Sequence, residues 1–255
     1  MKILIGLSTI LTIGALLWIV TYVAVRGFSG FDSTFWEEIS PMIVTTLLMI
    51  FLSLVISVPI GIAAAIYLNE YAKNGKIMEV IRFSIETLSG IPSIIYGLFG
   101  MIFFVTFLKM GFSILAGTLT LCIMVLPTVI RTTEESLKSV QASFREGSFA
   151  LGATKLRTVL RVVVPSAISG IMTAVVLSVG RIVGETAAVY LTAGTVARMP
   201  SSFTDSGRTL SVHLFILAKE AISFEKAFAT ATVLIVMILI INLIANFIGA
   251  RGEAK

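Results

Sequence analysis

The amino-acid sequence predicts an all-α integral membrane protein with six transmembrane helices and both termini in the cytoplasm. Of its 255 residues, 57% are apolar and 13% charged, against roughly 45–50% and about 25% in a soluble domain. Residues 3–25, 39–69, 162–180 and 227–250 carry no Asp, Glu, Lys or Arg, and 87–130 carries only Lys109. Each run, or each half of the last, can cross about 30 Å of hydrocarbon at roughly 1.5 Å per residue. Basic residues are also unevenly shared between alternate loops. Lys2, Lys73, Lys76, Arg82, Arg131, Lys138, Arg145, Lys155, Arg157, Arg161, Arg251 and Lys255 fall on one side, and only Arg26, Lys109, Arg198, Arg208, Lys219 and Lys226 on the other. The richer side, with both termini, is expected in the cytoplasm.

The spans are expected at about 3–25, 41–69, 91–108, 112–130, 167–190 and 228–248, as one transmembrane domain over 1–255 with core helices at about 41–250. Residues 1–40 hold the first helix and an external loop. Lys2 precedes a run that is long for a signal peptide and has no clear small-x-small cleavage site, so the first helix is expected to be retained. Pro59 inside the second span, and Pro92 beside Gly90 ahead of the third, should bend or end helices locally. Either gating hinges or plain helix punctuation accounts for them. Cys122, the single cysteine, lies in the fourth span and can form no internal disulfide, and His213 is the single histidine. No metal and no cofactor is expected. The formal net charge of +5 sits beside helix ends, where lipid headgroups and topology account for it, so no nucleic-acid partner is expected.

Residues 131–165 form a basic loop on the cytoplasmic side. Thr132 or Thr133 can accept from free amides and Glu134 and Glu135 would occupy a first turn, so a capped helix start is expected there. Phe144, Phe149, Leu151 and Leu156 alternate with Arg145, Glu146, Lys155 and Arg157, an amphipathic pattern that suits insertion into a partner's groove. Gly152 permits a turn that a Cβ would resist, and Pro165 suits the first turn of the following helix. The insert reads as a docking site; an ordinary interhelical loop is the plainer alternative.

The fifth span holds Arg181 and Glu185, four residues apart and so expected on one helical face. An intramembrane charge costs at least about 2.5–3.5 kcal/mol, which marks a functional candidate. Arg181 lies about 24 Å along the axis from Pro165. Gly180 and Gly184 make a small-xxx-small step for close helix packing, and Ser178 keeps the Arg181 face narrow. That face either lines a pathway or forms a structural ion pair. The external loop 191–227 has apolar residues at Leu210, Leu214, Leu217 and Ala221, which suggests an interfacial helix. It could receive a partner, close the pathway, or pack on the membrane.

Glu146, Gly147, Ser148, Gly152, Val162, Val164 and Pro165 resemble the Glu-Ala-Ala, three residues, Gly, nine residues, Ile, one residue, Leu-Pro coupling loop of permeases from ATP-driven importers. Replacements are small for small and aliphatic for aliphatic. Gly180-Arg-Ile-Val-Gly-Glu-Thr-Ala-Ala188 and Ser89-Gly-Ile-Pro-Ser-Ile-Ile-Tyr-Gly-Leu-Phe-Gly100 are similar to the phosphate-importer (PstA-type) members. The resemblance implies a MetI-like, type I ABC importer permease in the cell membrane. It implies coupling to an ATP-hydrolysing subunit (two copies) through Glu146, Gly147, Ser148, Gly152 and Pro165. A homologous second permease subunit, an extracytoplasmic phosphate-binding protein and membrane lipid complete the expected partners. The chain has no Gly-x4-Gly-Lys-Ser/Thr phosphate loop and is expected to be non-catalytic. In this reading Arg181 offers a bidentate guanidinium to phosphate, and Glu185 accepts from a protonated phosphate oxygen, which sulfate lacks. A permease for molybdate or sulfate, and an ion-coupled secondary transporter, are the alternatives. A phospholipid-acting enzyme would need a nucleophile or metal cluster that the sequence does not offer.

Overall fold

The computed structural model describes residues 1–73 and 75–253. Lys255 lies outside the described residues, as do the side chains of Lys2 and Arg251. Every regular element among the described residues is a helix. In chain order they are α1 (Lys2–Gly27), α2 (Phe35–Ile66), α3 (Lys76–Ser89), α4 (Ser93–Gly100), α5 (Ile114–Ser139), α6 (Ala142–Ala150), α7 (Lys155–Thr158), α8 (Val164–Ser166), α9 (Ile168–Val183), α10 (Ala187–Thr192), α11 (Leu210–Lys219) and α12 (Phe224–Glu253). Single π-helical turns extend α2 (Tyr67–Tyr71) and α4 (Met101–Phe107), and a third (Val159–Val163) joins α7 to α8.

Four helices are long and apolar enough to span alone: Leu4–Gly30, Phe35–Tyr71, Ile114–Ser139 and Phe224–Ala245. Two bent pairs, Lys76–Ser89 with Ser93–Phe107 (100°) and Lys155–Ser166 with Ile168–Val183 (65°), bring the number to six when each pair is counted as one span. Proline explains only one bend. Pro92 stands at the N-cap of α4 with φ −58° and ψ 140°, an extended conformation that stops α3 from continuing. Pro59 lies within α2 without ending it.

Three expectations need correction. The helix start foreseen at Thr132 or Thr133 does not exist, because α5 runs on to Ser139. Leu137 stays fully buried on the same face, and Lys138 reaches Glu134 one turn back (2.7 Å), so nothing favours a break. The fifth span stops at Val183; residues 184–186 are not helical before α10 begins. Finally, α11 is no surface helix. Leu210, Val212, His213, Ile216 and Leu217 are buried, and Ala221 (φ 50°) turns the chain back into α12, on which α11 packs.

The main core is built by α2, α5, α9 and α11, with Ile39, Met49, Leu121, Met124, Val125, Val179, Val183 and Leu210 at its centre. A second cluster, around Ala65, Leu68, Ile130, Leu137, Val163 and Ile171, closes the end that carries α6. Helix α1 stands apart. Every described side chain from Leu4 to Tyr22 is exposed, and α1 is held at its last turns, where Tyr22 meets Phe228 edge to face (5.9 Å).

Close approach of α2 and α5 depends on Gly61, where a Cβ would lie 2.5 Å from Val129 Cγ1 and 2.9 Å from its Cβ. Gly61→Leu is expected to destabilise the bundle by about 1–3 kcal/mol through overpacking. Gly14→Leu, on open α1 with nothing within 4 Å, should be neutral. Thermal unfolding of both variants in detergent checks this, and equal melting temperatures would refute the packing role of Gly61.

Candidate functional site

The residues singled out by sequence fall at two places in the bundle. The first is the α6 end. α6 buries no residue, and its sequence-predicted positions are spread along an open hairpin. Glu146 and Gly147 are exposed, and a Cβ at Gly147 would meet nothing within 4 Å. The Ser148 hydroxyl shares a 2.8 Å hydrogen bond with Thr158 Oγ1 across the hairpin. The turn is made at Gly152, whose φ of 78° lies in the left-handed region that favours glycine. Thr154 Oγ1 then caps α7 by accepting from Arg157 N (3.4 Å). Pro165 lies in α8, at the end of the continuous helix Lys155–Ser166 and two residues before the bend at Ala167 that leads into α9.

This hairpin presents apolar side chains that the chain itself does not cover. Phe144, Phe149, Leu156 (60% exposed) and Leu151 (90% exposed) point away from the cores. Arg145, between them, turns the other way. Its Nε and Nη2 bind Glu70 Oε1 (3.3 and 2.9 Å), and its Nη1 and Nη2 donate to the carbonyls of Val140 and Leu137 (2.8 and 2.9 Å). Sequence reading missed this partnership, since 75 positions separate Arg145 from Glu70. The only trace in the sequence is that Glu70 ends a charge-free run.

The second place is the break after α9. Arg181 lies in the last turn of α9, part-buried, with Nη1 donating to Thr128 Oγ1 of α5 (3.2 Å). Thr128 was not foreseen. Glu185, 7% exposed, does not pair with Arg181, because the helix that would have aligned them has ended. Its Oε1 accepts from Ala188 N (3.0 Å) and so caps α10, while its backbone carbonyl accepts from Ser211 Oγ (2.7 Å) of α11. Ser178 faces inward, fully buried, and donates to Ala174 O (2.8 Å). Gly180 of α9 and Gly184 just past its end are exposed together with Thr173 and Leu177; a Cβ at Gly180 would meet nothing within 4 Å, and one at Gly184 only the Gly180 carbonyl (3.5 Å).

Around the break, the chain supplies backbone partners to each interrupted helix. The segment between α10 and α11 covers the start of α5: Ile114 N and Leu115 N donate to the carbonyls of Asp205 (2.9 Å) and Phe203 (2.9 Å), and Ala116 N to Ser113 Oγ (3.2 Å). The Asp205 carboxylate is held below its ordinary range, first by the Ser201 hydroxyl and then by the amides of Ser201 and Ser202. Arg208 Nε donates to Thr195 O (2.8 Å), which closes the base of this segment.

Residues 57–253 match the family model described as binding-protein-dependent transport system inner membrane component. A probable ABC transporter permease protein, YqgI of Bacillus subtilis, is 31% identical over 98% of this chain and 94% of its own length. The phosphate transport system permease protein PstA of Yersinia pestis is 33% identical over 93% of this chain and 85% of its own. Among solved structures, a bacterial alginate ABC transporter in complex with its alginate-bound periplasmic protein superposes with a TM-score of 0.75 at 18% identity, over 99% of this chain and 94% of that one. An inward-facing MetNI methionine ABC transporter gives 0.66, also at 18%, over 87% and 98%. At such identities the solved structures establish the fold alone. The family match and the relatives carry the assignment: this chain belongs to the binding-protein-dependent transport system inner membrane components, and is a permease subunit of an ABC importer in the plasma membrane.

Proposed function

We propose that the chain is a permease of an ATP-driven importer of inorganic phosphate, forming half of the translocation pathway beside a homologous second permease. In this reading the α6 end and both termini face the cytoplasm, the side richer in Lys and Arg. Each of two ATP-hydrolysing subunits receives one coupling hairpin, and an extracytoplasmic binding protein delivers the anion. The chain itself makes and breaks no covalent bond.

The observation that carries the coupling is the uncovered row Phe144, Phe149, Leu151 and Leu156 on a hairpin that buries nothing of α6. An amphipathic helix with such a row fits a partner's groove. Phosphate is favoured as cargo by the names of the PstA relatives and by Arg181, a guanidinium with donors beyond the one given to Thr128. Glu185 uses one oxygen for α10 and keeps the other for a protonated phosphate oxygen. The open Gly180–Gly184 face suits close packing by the second permease. Because the Oε1 of Glu185 is already engaged, its power to reject a fully ionised anion is reduced, and molybdate or sulfate is the second reading.

Reconstitution with the ATPase, second permease and binding protein tests cargo: ATP-dependent uptake of labelled phosphate in preference to sulfate and molybdate is expected, and the reverse preference overturns the assignment. In the same system Arg181→Gln should lower phosphate uptake at least about tenfold, a loss equivalent to roughly 1.4 kcal/mol or more, with normal assembly. Unimpaired uptake would remove Arg181 from the pathway.

Leu151→Asp with Leu156→Asp should leave insertion intact and abolish co-purification with the ATPase. Retained association would place the docking surface elsewhere.

A further inference from the structure

Besides its chain connections and the bonds from Arg145 to the Leu137 and Val140 carbonyls at the end of α5, the coupling hairpin reaches two neighbouring residues of α2. Arg145 of α6 grips Glu70, whose Oε1 also accepts from Asn69 Nδ2 (2.9 Å). Lys155, at the start of α7, places Nζ 5.0 Å from the centre of the Tyr71 ring, within cation–π range. Glu70 and Tyr71 are the last two residues of the π-helical turn that ends α2, and at Ala72 the chain becomes extended (φ −70°, ψ 133°). The Arg145 and Glu70 side chains are only 20% and 10% exposed, so salt screens this contact less than it would a surface pair.

What lies beyond these contacts matters. α2 with its π turn is a span of 37 residues, about 55 Å long at 1.5 Å per residue, with no break. It packs along α5, and Thr46 Oγ1 accepts from Leu210 N (2.9 Å) at the start of α11. Near its opposite end Glu38 binds Lys226 Nζ (2.7 Å) of α12. The chain also leaves the hairpin forward through α7 and α8 into α9, bent by 65° at Ala167, and back into α5 through Val140 (φ −67°, ψ 125°) and Gln141 (φ −57°, ψ 137°), two extended residues that interrupt the helix. A displacement applied along either route can be absorbed at the bend or the interruption, whereas one applied to the end of α2 moves a continuous rod.

We infer that α2 carries motion from the coupling hairpin to the far half of the bundle, and that Glu70 and Tyr71 are positioning residues that join α6 and α7 to it. The inference rests on the coupling role proposed above. The π turn suits the task, since such turns recur at functional positions within helices. Neither residue is one of the four uncovered apolar side chains offered to the ATPase.

The test uses the whole reconstituted complex and reads labelled phosphate taken up per ATP hydrolysed, alongside co-purification of the ATPase. Glu70→Gln combined with Tyr71→Leu is expected to leave assembly and ATP hydrolysis in place and to cut phosphate moved per ATP at least about fivefold. Tyr71→Phe, which keeps the ring, and Lys155→Arg, which keeps the cation, should hold the wild-type ratio. An unchanged ratio in the double variant overturns the inference, as does loss of the ATPase from the complex, which would make these residues part of docking. A wild-type complex without ATP-dependent uptake would instead overturn the coupling role itself.

Discussion

A backbone amide or carbonyl facing hydrocarbon without a partner costs several kcal/mol, so a helix inside a membrane can stop only where the protein itself meets the groups it frees. That requirement organises this bundle. The break between α9 and α10 is closed by the Glu185 carboxylate on the Ala188 amide and by the Ser211 hydroxyl on the Glu185 carbonyl. The start of α5 is closed by Ser113 and by carbonyls of the segment that follows α10, and the start of α11 by Thr46. The break at 184–186 and the starts of α5 and α11 thus gather where α2, α5, α9 and α11 meet. Arg181 sits beside them, where helix ends and polar side chains make a cation tolerable.

The same reasoning separates what was legible in the sequence from what was not. Uncharged runs with polar flanks identify α1, α2, α5 and α12 because length and composition alone decide them. Gly152 was readable for a similar reason, meeting a local backbone requirement that few residues can meet. The interruption at 184–186 was missed because apolar periodicity continues through Ala187 and Val189, and Glu185 was read as a charge on a helix when it is a cap. Thr132 and Thr133 misled in the opposite direction: capping residues were present, but α5 had no reason to end. α11 looked interfacial because its polar positions, Ser211 and His213, make their contacts inside the protein. Arg145 with Glu70 and Arg181 with Thr128 are long-range pairs, and a single sequence carries no record of them.

The α6 end and the break after α9 are separate regions, and each contains residues the chain does not satisfy by itself. At the hairpin these are apolar side chains without cover; on α9 they are glycines without a neighbour and a guanidinium with donors to spare. A subunit that leaves such groups open is incomplete in the manner expected of one member of an assembly. α2 and α5 both have contacts in the two regions, α2 through Glu70 and Tyr71 at one end and Thr46 farther along, α5 through the Leu137 carbonyl and Thr128. Their length makes the two regions parts of one mechanical system.

Helix α1 shows a different relation to its surroundings. Every described side chain from Leu4 to Thr21 is exposed, and its attachment begins at Tyr22 and runs to Gly27 and Gly30, beside Phe228 and Glu225 of α12. Such a helix is pinned at one end only, so its inclination is set by whatever covers the rest of it. Its fixed end adjoins the start of α12, close to where Lys226 meets Asp32 and Glu38. A change in that inclination would therefore act first on this corner of the protein.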